Sequence, residues 1–174
     1  PGLMITVDND LGADDIIVAG GGNDTIFGGF GGDDISAGAD DDVVIGDAGR
    51  IDRSRDPEAP EELVVHSTAS GQVEVHTFLD RVRTIAFADG GVDTIAGDGG
   101  DDLVFGGAAG DDVSGGAGLD ILIGDNGEAD FEDGVLVSVF TTDTAEATGG
   151  ADTIDGDGDE DIILGGVNGS ADVL

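Results

Sequence analysis

The chain has 174 residues, 34 of them glycine, with no cysteine and a net charge of −35 from 40 acidic residues against five basic ones. That charge excludes nucleic acid and anionic membrane surfaces as partners, because both would repel it, and the missing cysteines exclude disulfides, thiolate zinc sites and cysteine nucleophiles. Self-repulsion on this scale keeps a chain expanded unless cations neutralise it, and the preference for Asp over Glu favours tight turns and hard metal ions.

In chain order, Leu-Met-Ile-Thr-Val (3–7) predicts a strand. Asp15, Asp24, Asp33 and Asp42 follow at a spacing of nine, and two residues beyond each stands an aliphatic: Ile17, Ile26, Ile35 and Val44. The block closes on Ile-Gly-Asp-Ala-Gly (45–49). An insert, 50–88, then holds all five Arg and both His. Its segments Leu-Val-Val-His-Ser and Gln-Val-Glu-Val-His-Thr-Phe predict a hairpin about Gly71, which sets His66 opposite His76 as a candidate transition-metal pair. A strand is predicted over 82–87, with Arg81 and Arg83 sharing one face, either paired with nearby Asp or docked on an acidic coil of a neighbouring chain. The nine-residue series resumes at Asp93, Asp102, Asp111 and Asp120, with Ile95, Val104, Val113 and Leu122, and closes on Ile-Gly-Asp-Asn-Gly (123–127). A second insert, 128–148, predicts a smaller hairpin about Glu132-Asp133-Gly134. Asp152 and Asp161 reopen the series with Ile154 and Ile163, and Asp172 with Leu174 reads as a further unit displaced by two residues. The expected organisation is a strand and first block over 1–49, a hairpin insert over 50–88, a second block over 89–127, a short hairpin insert over 128–148 and an incomplete third block over 149–174. Both ends fall inside the repeat array, which reads as a window of a longer protein.

The repeat has a physical logic. Three residues, x-aliphatic-x, make a short strand with the aliphatic on one side. Six Gly-rich residues reverse the chain, because glycine adopts positive φ and lets backbones approach closely. Two nonapeptides then form a coil of 18 residues, and successive coils stack as parallel ladders with the aliphatics inside. Stacking sets Asp15 over Asp33, Asp24 over Asp42, Asp93 over Asp111 and Asp102 over Asp120. Such carboxylate pairs repel in water, and a divalent cation reverses the sign.

Tracts such as Gly28-Gly29-Phe30-Gly31-Gly32-Asp33 and Gly115-Gly116-Ala117-Gly118-Leu119-Asp120 resemble the RTX (repeats-in-toxin) calcium-binding nonapeptide G-G-x-G-x-D-x-U-x. The resemblance implies an all-β fold: a calcium-bound parallel β-solenoid, or β-roll, here interrupted by β-hairpin inserts. It also implies several Ca2+ ions, each held by motif positions 2, 4 and 6 of one turn and 1, 3 and 6 of the turn stacked on it. Carried over, one site is Gly20, Gly22 and Asp24 with Ala37, Ala39 and Asp42. A second is Asp98, Gly100 and Asp102 with Gly115, Ala117 and Asp120. A third is Gly91 and Asp93 with Gly106, Ala108 and Asp111. Asp15 with Asp33, and Asp152, Asp161 and Asp172, supply further carboxylates. Asp10-Leu11-Gly12 and Ala88-Asp89-Gly90 depart from the Gly-Gly opening. Position 2 is Asp at 47, 98, 125 and 157, either as an added ligand or as a cap of the coil.

Asp155, Asp157 and Asp159 mimic the start of an EF-hand, but Glu160 stands at its required glycine and Gly166 at its closing glutamate. No lysine exists for a P-loop, and no catalytic constellation is present. The expected function is therefore non-enzymatic: a calcium-binding structural segment of a large secreted or cell-surface protein, such as an adhesin stalk, surface layer or extracellular filament. Export would follow a type 1 route, with folding on calcium outside and self-association or docking between neighbouring repeats. The alternative is the RTX repeat domain of a secreted toxin or hydrolase that assists secretion and folding.

Overall fold

The computed structural model describes residues 3–5, 12–52, 65–67, 73–75, 79–85, 88–132, 134–142, 148–166 and 172–174. Among these residues the chain is all β, without a helix. Each coil contributes one strand to each of two parallel sheets. The first strands are β2 (Ile16–Gly21), β4 (Asp34–Ala39), β10 (Thr94–Gly99), β12 (Asp112–Ala117) and β16 (Thr153–Asp157). The second strands are β3 (Thr25–Phe27), β5 (Val43–Ile45), β11 (Leu103–Gly107), β13 (Ile121–Asp125) and β17 (Ile162–Leu164). Both sheets run in coil order, which is consistent with a β-roll.

The coils do not stop at the inserts. β4 pairs directly with β10, Ile35 beside Ile95, and β12 pairs with β16, Val113 beside Ile154. The inserts loop out, and the column of coils continues past them. The central aliphatic of each strand points between the two sheets, where Ile26, Ile35, Val44, Ile95, Val104, Val113, Leu122 and Ile154 form one buried cluster.

A third sheet is assembled from chain that leaves and re-enters the coils. Its antiparallel order is β1 (Leu3–Ile5), β6 (Gly49–Asp52), β9 (Arg81–Thr84), β14 (Gly127–Glu132) and β15 (Val135–Thr141). The reason lies in the second strands. Val43-Val44-Ile45, Leu103-Val104-Phe105 and Ile121-Leu122-Ile123 are apolar at every position, whereas the first strands β4, β10, β12 and β16 flank one aliphatic with small or polar residues, as in Asp34-Ile35-Ser36; β2, with Ile16-Ile17-Val18, is the exception and leaves Ile16 and Val18 exposed. Neighbouring residues of a strand face opposite sides, so these second-strand triplets gain from cover on both faces. Ile45, Phe105 and Ile123 accordingly point away from the coil interior and pack with Ile51, Val82 and Ala129 of the antiparallel sheet. The last glycine of each Ile-Gly-Asp-x-Gly segment fits here: a Cβ on Gly49 would strike Ile45 and Phe27, and one on Gly127 would strike Phe105.

The predicted hairpin of the second insert is present as β14 and β15, with Gly134 at φ 78° beside the turn. In the first insert β7 (Val65–Ser67) and β8 (Val73–Val75) pair antiparallel, but His66 lies opposite Glu74. This corrects the expected His66–His76 register, because the pairing of Val65 with Val75 centres the turn one residue earlier than Gly71; His76 itself lies outside the described residues. Arg81 takes the local role. It sits between neighbouring strands and pairs with Asp130 at 2.7 Å and Glu128 at 3.2 Å.

Candidate metal centre

The turns are built by their backbone signs. Count each turn from position 1, five residues before its Asp, to the Asp at position 6. Every uninterrupted turn with both positions described has positive φ at positions 2 and 4: Gly20 and Gly22, Gly29 and Gly31, Gly38 and Asp40, Asp98 and Gly100, Gly107 and Ala109, Gly116 and Gly118, Asp157 and Asp159. Glycine reaches this region freely, and Asp is among the few other residues that visit it as a single residue. Two left-handed residues curl the turn so that its Asp points back into the column.

The result is two carboxylate ladders. In the first, the N–H of each Asp donates to Oδ1 of the next: Asp15 to Asp33 at 2.8 Å, Asp33 to Asp93 at 2.8 Å, Asp93 to Asp111 at 2.9 Å, Asp111 to Asp152 at 2.9 Å and Asp152 to Asp172 at 3.2 Å. In the second, Asp24 donates to Asp42 at 2.7 Å, Asp42 to Asp102 at 2.8 Å, Asp102 to Asp120 at 3.0 Å and Asp120 to Asp161 at 3.0 Å. The pairs 18 residues apart are the ones the spacing predicts. The rungs 60 and 41 residues apart, across the inserts, are not readable from a fixed period. Asp172 does stand as a rung displaced by two, and Val173 bridges Thr153.

The second oxygen of these carboxylates carries the chemistry. Oδ2 of Asp33, Asp42, Asp93, Asp102, Asp111, Asp120 and Asp152 is buried and accepts no hydrogen bond, although these side chains are at most 2% exposed. A buried carboxylate oxygen without a donor is costly. The Oδ2 atoms of Asp33, Asp93, Asp102, Asp111 and Asp152 lie against a position-1 glycine and beside a carbonyl of another coil, and that of Asp120 lies against Gly115; the Asp42 turn has Ala37 at position 1. A Cβ on Gly106 would collide with Asp111 Oδ2 and Gly124 O, and one on Gly97 with Asp102 Oδ2 and Gly115 O. Carboxylate oxygens without a donor, in register with backbone carbonyls, are the donor set of a hard cation such as calcium. Among the described residues no three acidic or histidine side chains converge on one point, so an ion here would draw most of its ligands from the backbone.

The other named residues fall into place around the ladders. Gly20 and Gly22 line an open turn at the β2 edge, Ala37 is buried, and Ala39 and Ala117 are exposed. Gly100 is left-handed, Gly106 and Gly115 lie under carboxylates, and the N–H groups of Gly91 and Ala108 bond Asp47. The four position-2 aspartates divide into two kinds. Asp98 and Asp157 are exposed, left-handed, and accept the hydroxyls of Ser36 and Ser114 at 2.7 and 2.6 Å. Asp47 and Asp125 are buried where the inserts branch off.

Burial, opposed by the N–H each accepts and reinforced by neighbouring carboxylates, pushes the ladder carboxyls up from 3.8: Asp152 to about 6, Asp93 and Asp102 to about 7, and Asp111 to about 9. Asp47 is likewise pushed up to about 8. Without cations the folded chain thus holds protons that the unfolded chain has released, so its stability is highest at low pH and falls as pH rises from about 4 to about 9. In chelator, acidification from pH 7.5 to 5 should therefore restore β-structure, and calcium affinity should weaken over the same range as protons compete for the oxygens. Circular dichroism and calorimetric titration at the two pH values check this; a chelated chain that loses structure on acidification would contradict it.

The family model described as the RTX calcium-binding nonapeptide repeat matches in four copies, at residues 11–44, 87–122, 105–128 and 141–168. No curated protein and no solved structure matches the chain.

Proposed function

Because the chain belongs to the RTX calcium-binding nonapeptide repeat family, we propose that it is a structural segment of a secreted or cell-surface protein, an adhesin stalk, surface layer or extracellular filament, that folds on calcium after export. At the coarser level it is a calcium-binding repeat region of the kind found in secreted proteins. The observation that carries the reading is the pair of buried ladders with unpartnered Oδ2 atoms. When bound, calcium supplies the positive charge and the six to eight coordination positions that these oxygens lack.

The residues do the rest. Position-2 and position-4 residues set the turns, the Asp N–H groups hold one Oδ1 each in place, and the aliphatic core closes once the carboxylates stop repelling. In a calcium-poor cytosol the charge keeps the chain expanded and fit for a type 1 route. Outside, binding and folding are one event. The chain itself is read as non-enzymatic. Among the described residues no helix is long and apolar enough to cross a membrane.

Self-association fits the edges of the column. Among the described residues β2 has a neighbour on one side only, and Ile16 and Val18 are 82% and 73% exposed on it, the kind of edge that pairs with another chain. Coil-on-coil stacking is favoured over docking through Arg81, whose guanidinium is held within its own sheet. Light scattering and electron micrographs of the native protein, with calcium and with chelator, test the reading. Calcium-dependent fibres or sheets are expected. Monomeric particles in calcium, carried by a catalytic domain in the full-length protein, would replace it with the alternative of a toxin or hydrolase repeat domain.

A further inference from the structure

The two inserts are spliced into turns, and both at the same place. The first enters after Gly46 and Asp47, positions 1 and 2 of a turn in the first ladder, and the chain returns to complete that turn at Gly91, Val92 and Asp93. The second enters after Gly124 and Asp125 and returns through Gly149, Gly150 and Asp152. In both cases the two arms meet. Asp93 Oδ2 lies against Gly46 beside the carbonyl of Gly106, and Asp152 Oδ2 lies against Gly124 beside the carbonyl of Gly165. Asp47, on the outgoing arm, accepts the N–H of Gly91 on the returning arm at 3.2 Å and that of Ala108 in the next coil at 2.5 Å. Asp125 occupies the same position against Gly149 and Gly166.

We propose that the two insertion points are split calcium sites, each built from both ends of its insert, so that calcium bound there closes the insert and orders the antiparallel sheet β6-β9-β14-β15. One feature points to a ligand and another ties the site to the sheet. Asp93 and Asp152 are 0% and 1% exposed, yet Oδ2 of each has no partner and faces the opposite arm. The antiparallel sheet draws its strands from chain adjoining these two points: β6 leaves the first and β9 precedes its return, while β14 leaves the second and β15 precedes its return. An uninterrupted turn closes over four intervening residues, whereas a split turn must also close the long loop of its insert, and that cost rises with loop length. The split sites therefore fill after the uninterrupted ones, and the sheet is the last part of the chain to order. Calcium concentration then sets whether the sheet is displayed. This inference rests on the calcium reading of the ladders.

Hydrogen exchange of the whole chain across a calcium titration tests it, with Asp93→Asn, Asp152→Asn and, on the exposed face outside the ladders, Asp112→Asn. At position 93 or 152 asparagine keeps the acceptor for the neighbouring N–H and replaces the unpartnered oxygen with an amide that repels a cation. At calcium saturating for the wild type, amides 49–52 and 81–84 in Asp93→Asn, and 127–132 and 135–141 in Asp152→Asn, should exchange at least about tenfold faster than in wild type, while Asp112→Asn leaves them protected. In the wild type, protection of 49–52 should appear only after that of 112–117. Equal protection in Asp93→Asn and wild type, or simultaneous protection of both segments, overturns the split sites while calcium-induced β-structure still upholds the ladders. A chain that takes up no calcium by calorimetry overturns both. If Asp93→Asn does not fold, Asp152→Asn and the wild-type order of protection decide.

Discussion

In excess chelator at pH 7.5 the chain should lose most of its β-structure, and calcium at about 10⁻⁴–10⁻³ M, the range of extracellular modules, should restore it cooperatively. Two terms set the size of the effect. The first is the net charge of −35, which opposes any compact state. The second is specific: Asp33, Asp42, Asp93, Asp102, Asp111, Asp120 and Asp152 bury an oxygen with no donor. The opposing hydrophobic term comes from a narrow core, one aliphatic per strand between the parallel sheets, and from a second cluster beneath the antiparallel sheet, at about 1.5–3 kcal/mol for each large side chain fully buried. That core offsets the backbone entropy of a glycine-rich chain only with help. Magnesium should substitute poorly, since it requires near-ideal octahedral geometry and dehydrates reluctantly. Far-ultraviolet circular dichroism with chelator, calcium and magnesium measures this directly, and a β-rich spectrum indifferent to chelator would refute it.

The second large effect separates two adjacent residues of the same type. Asp111 is 2% exposed, accepts the N–H of Asp93 and carries an unpartnered Oδ2, whereas Asp112 is exposed on the outer face of the first-strand sheet. Asp111 stands within the ladder, so an ion on either side draws on it. Asp111→Ala should remove about 3 kcal/mol of stability for each site lost, at calcium a hundredfold above the dissociation constant, and should reduce the calcium stoichiometry. Asp112→Ala should change stability by less than about 0.5 kcal/mol, as surface substitutions generally do. Denaturant unfolding in calcium, with calorimetric stoichiometry, distinguishes them. Equal losses would mean that the register of the ladders is wrong.

The ladders were legible because a nine-residue repeat places like residues in register once coils stack, and the spacing of Asp15, Asp24, Asp33 and Asp42 carries that register without further information. Even the displaced rung at Asp172 showed in the sequence, since Leu174 keeps its distance from it. The continuity of the column past the inserts did not show. A rung of 60 residues between Asp33 and Asp93 and one of 41 between Asp111 and Asp152 are tertiary facts: only the returning chain decides which coil it meets. The antiparallel sheet had a signal that single-aliphatic motif counting passes over. Leu103-Val104-Phe105 and Ile121-Leu122-Ile123 have one side chain too many on the outer face for a roll that is wet outside, and a covering layer follows from that. The two kinds of position-2 aspartate could likewise have been told apart. Asp98 and Asp157 sit within continuous nonapeptides, while Asp47 and Asp125 are the last residues before the period breaks. The register of His66 against Glu74 was not legible, because a hairpin with no strong turn residue pair leaves its centre uncertain by one position.

Calcium on the ladders is what holds the coils together under the proposed function. A crystal structure grown in calcium, with anomalous scattering recorded at long wavelength, locates the ions without reference to any motif. Peaks are expected along both ladders, between successive Asp rungs and against their Oδ2 atoms, including the rungs from Asp33 to Asp93 and from Asp111 to Asp152 that cross the inserts. Peaks confined to exposed acids such as Asp14, Asp41 and Asp101, with the ladder oxygens still unpartnered, would contradict it.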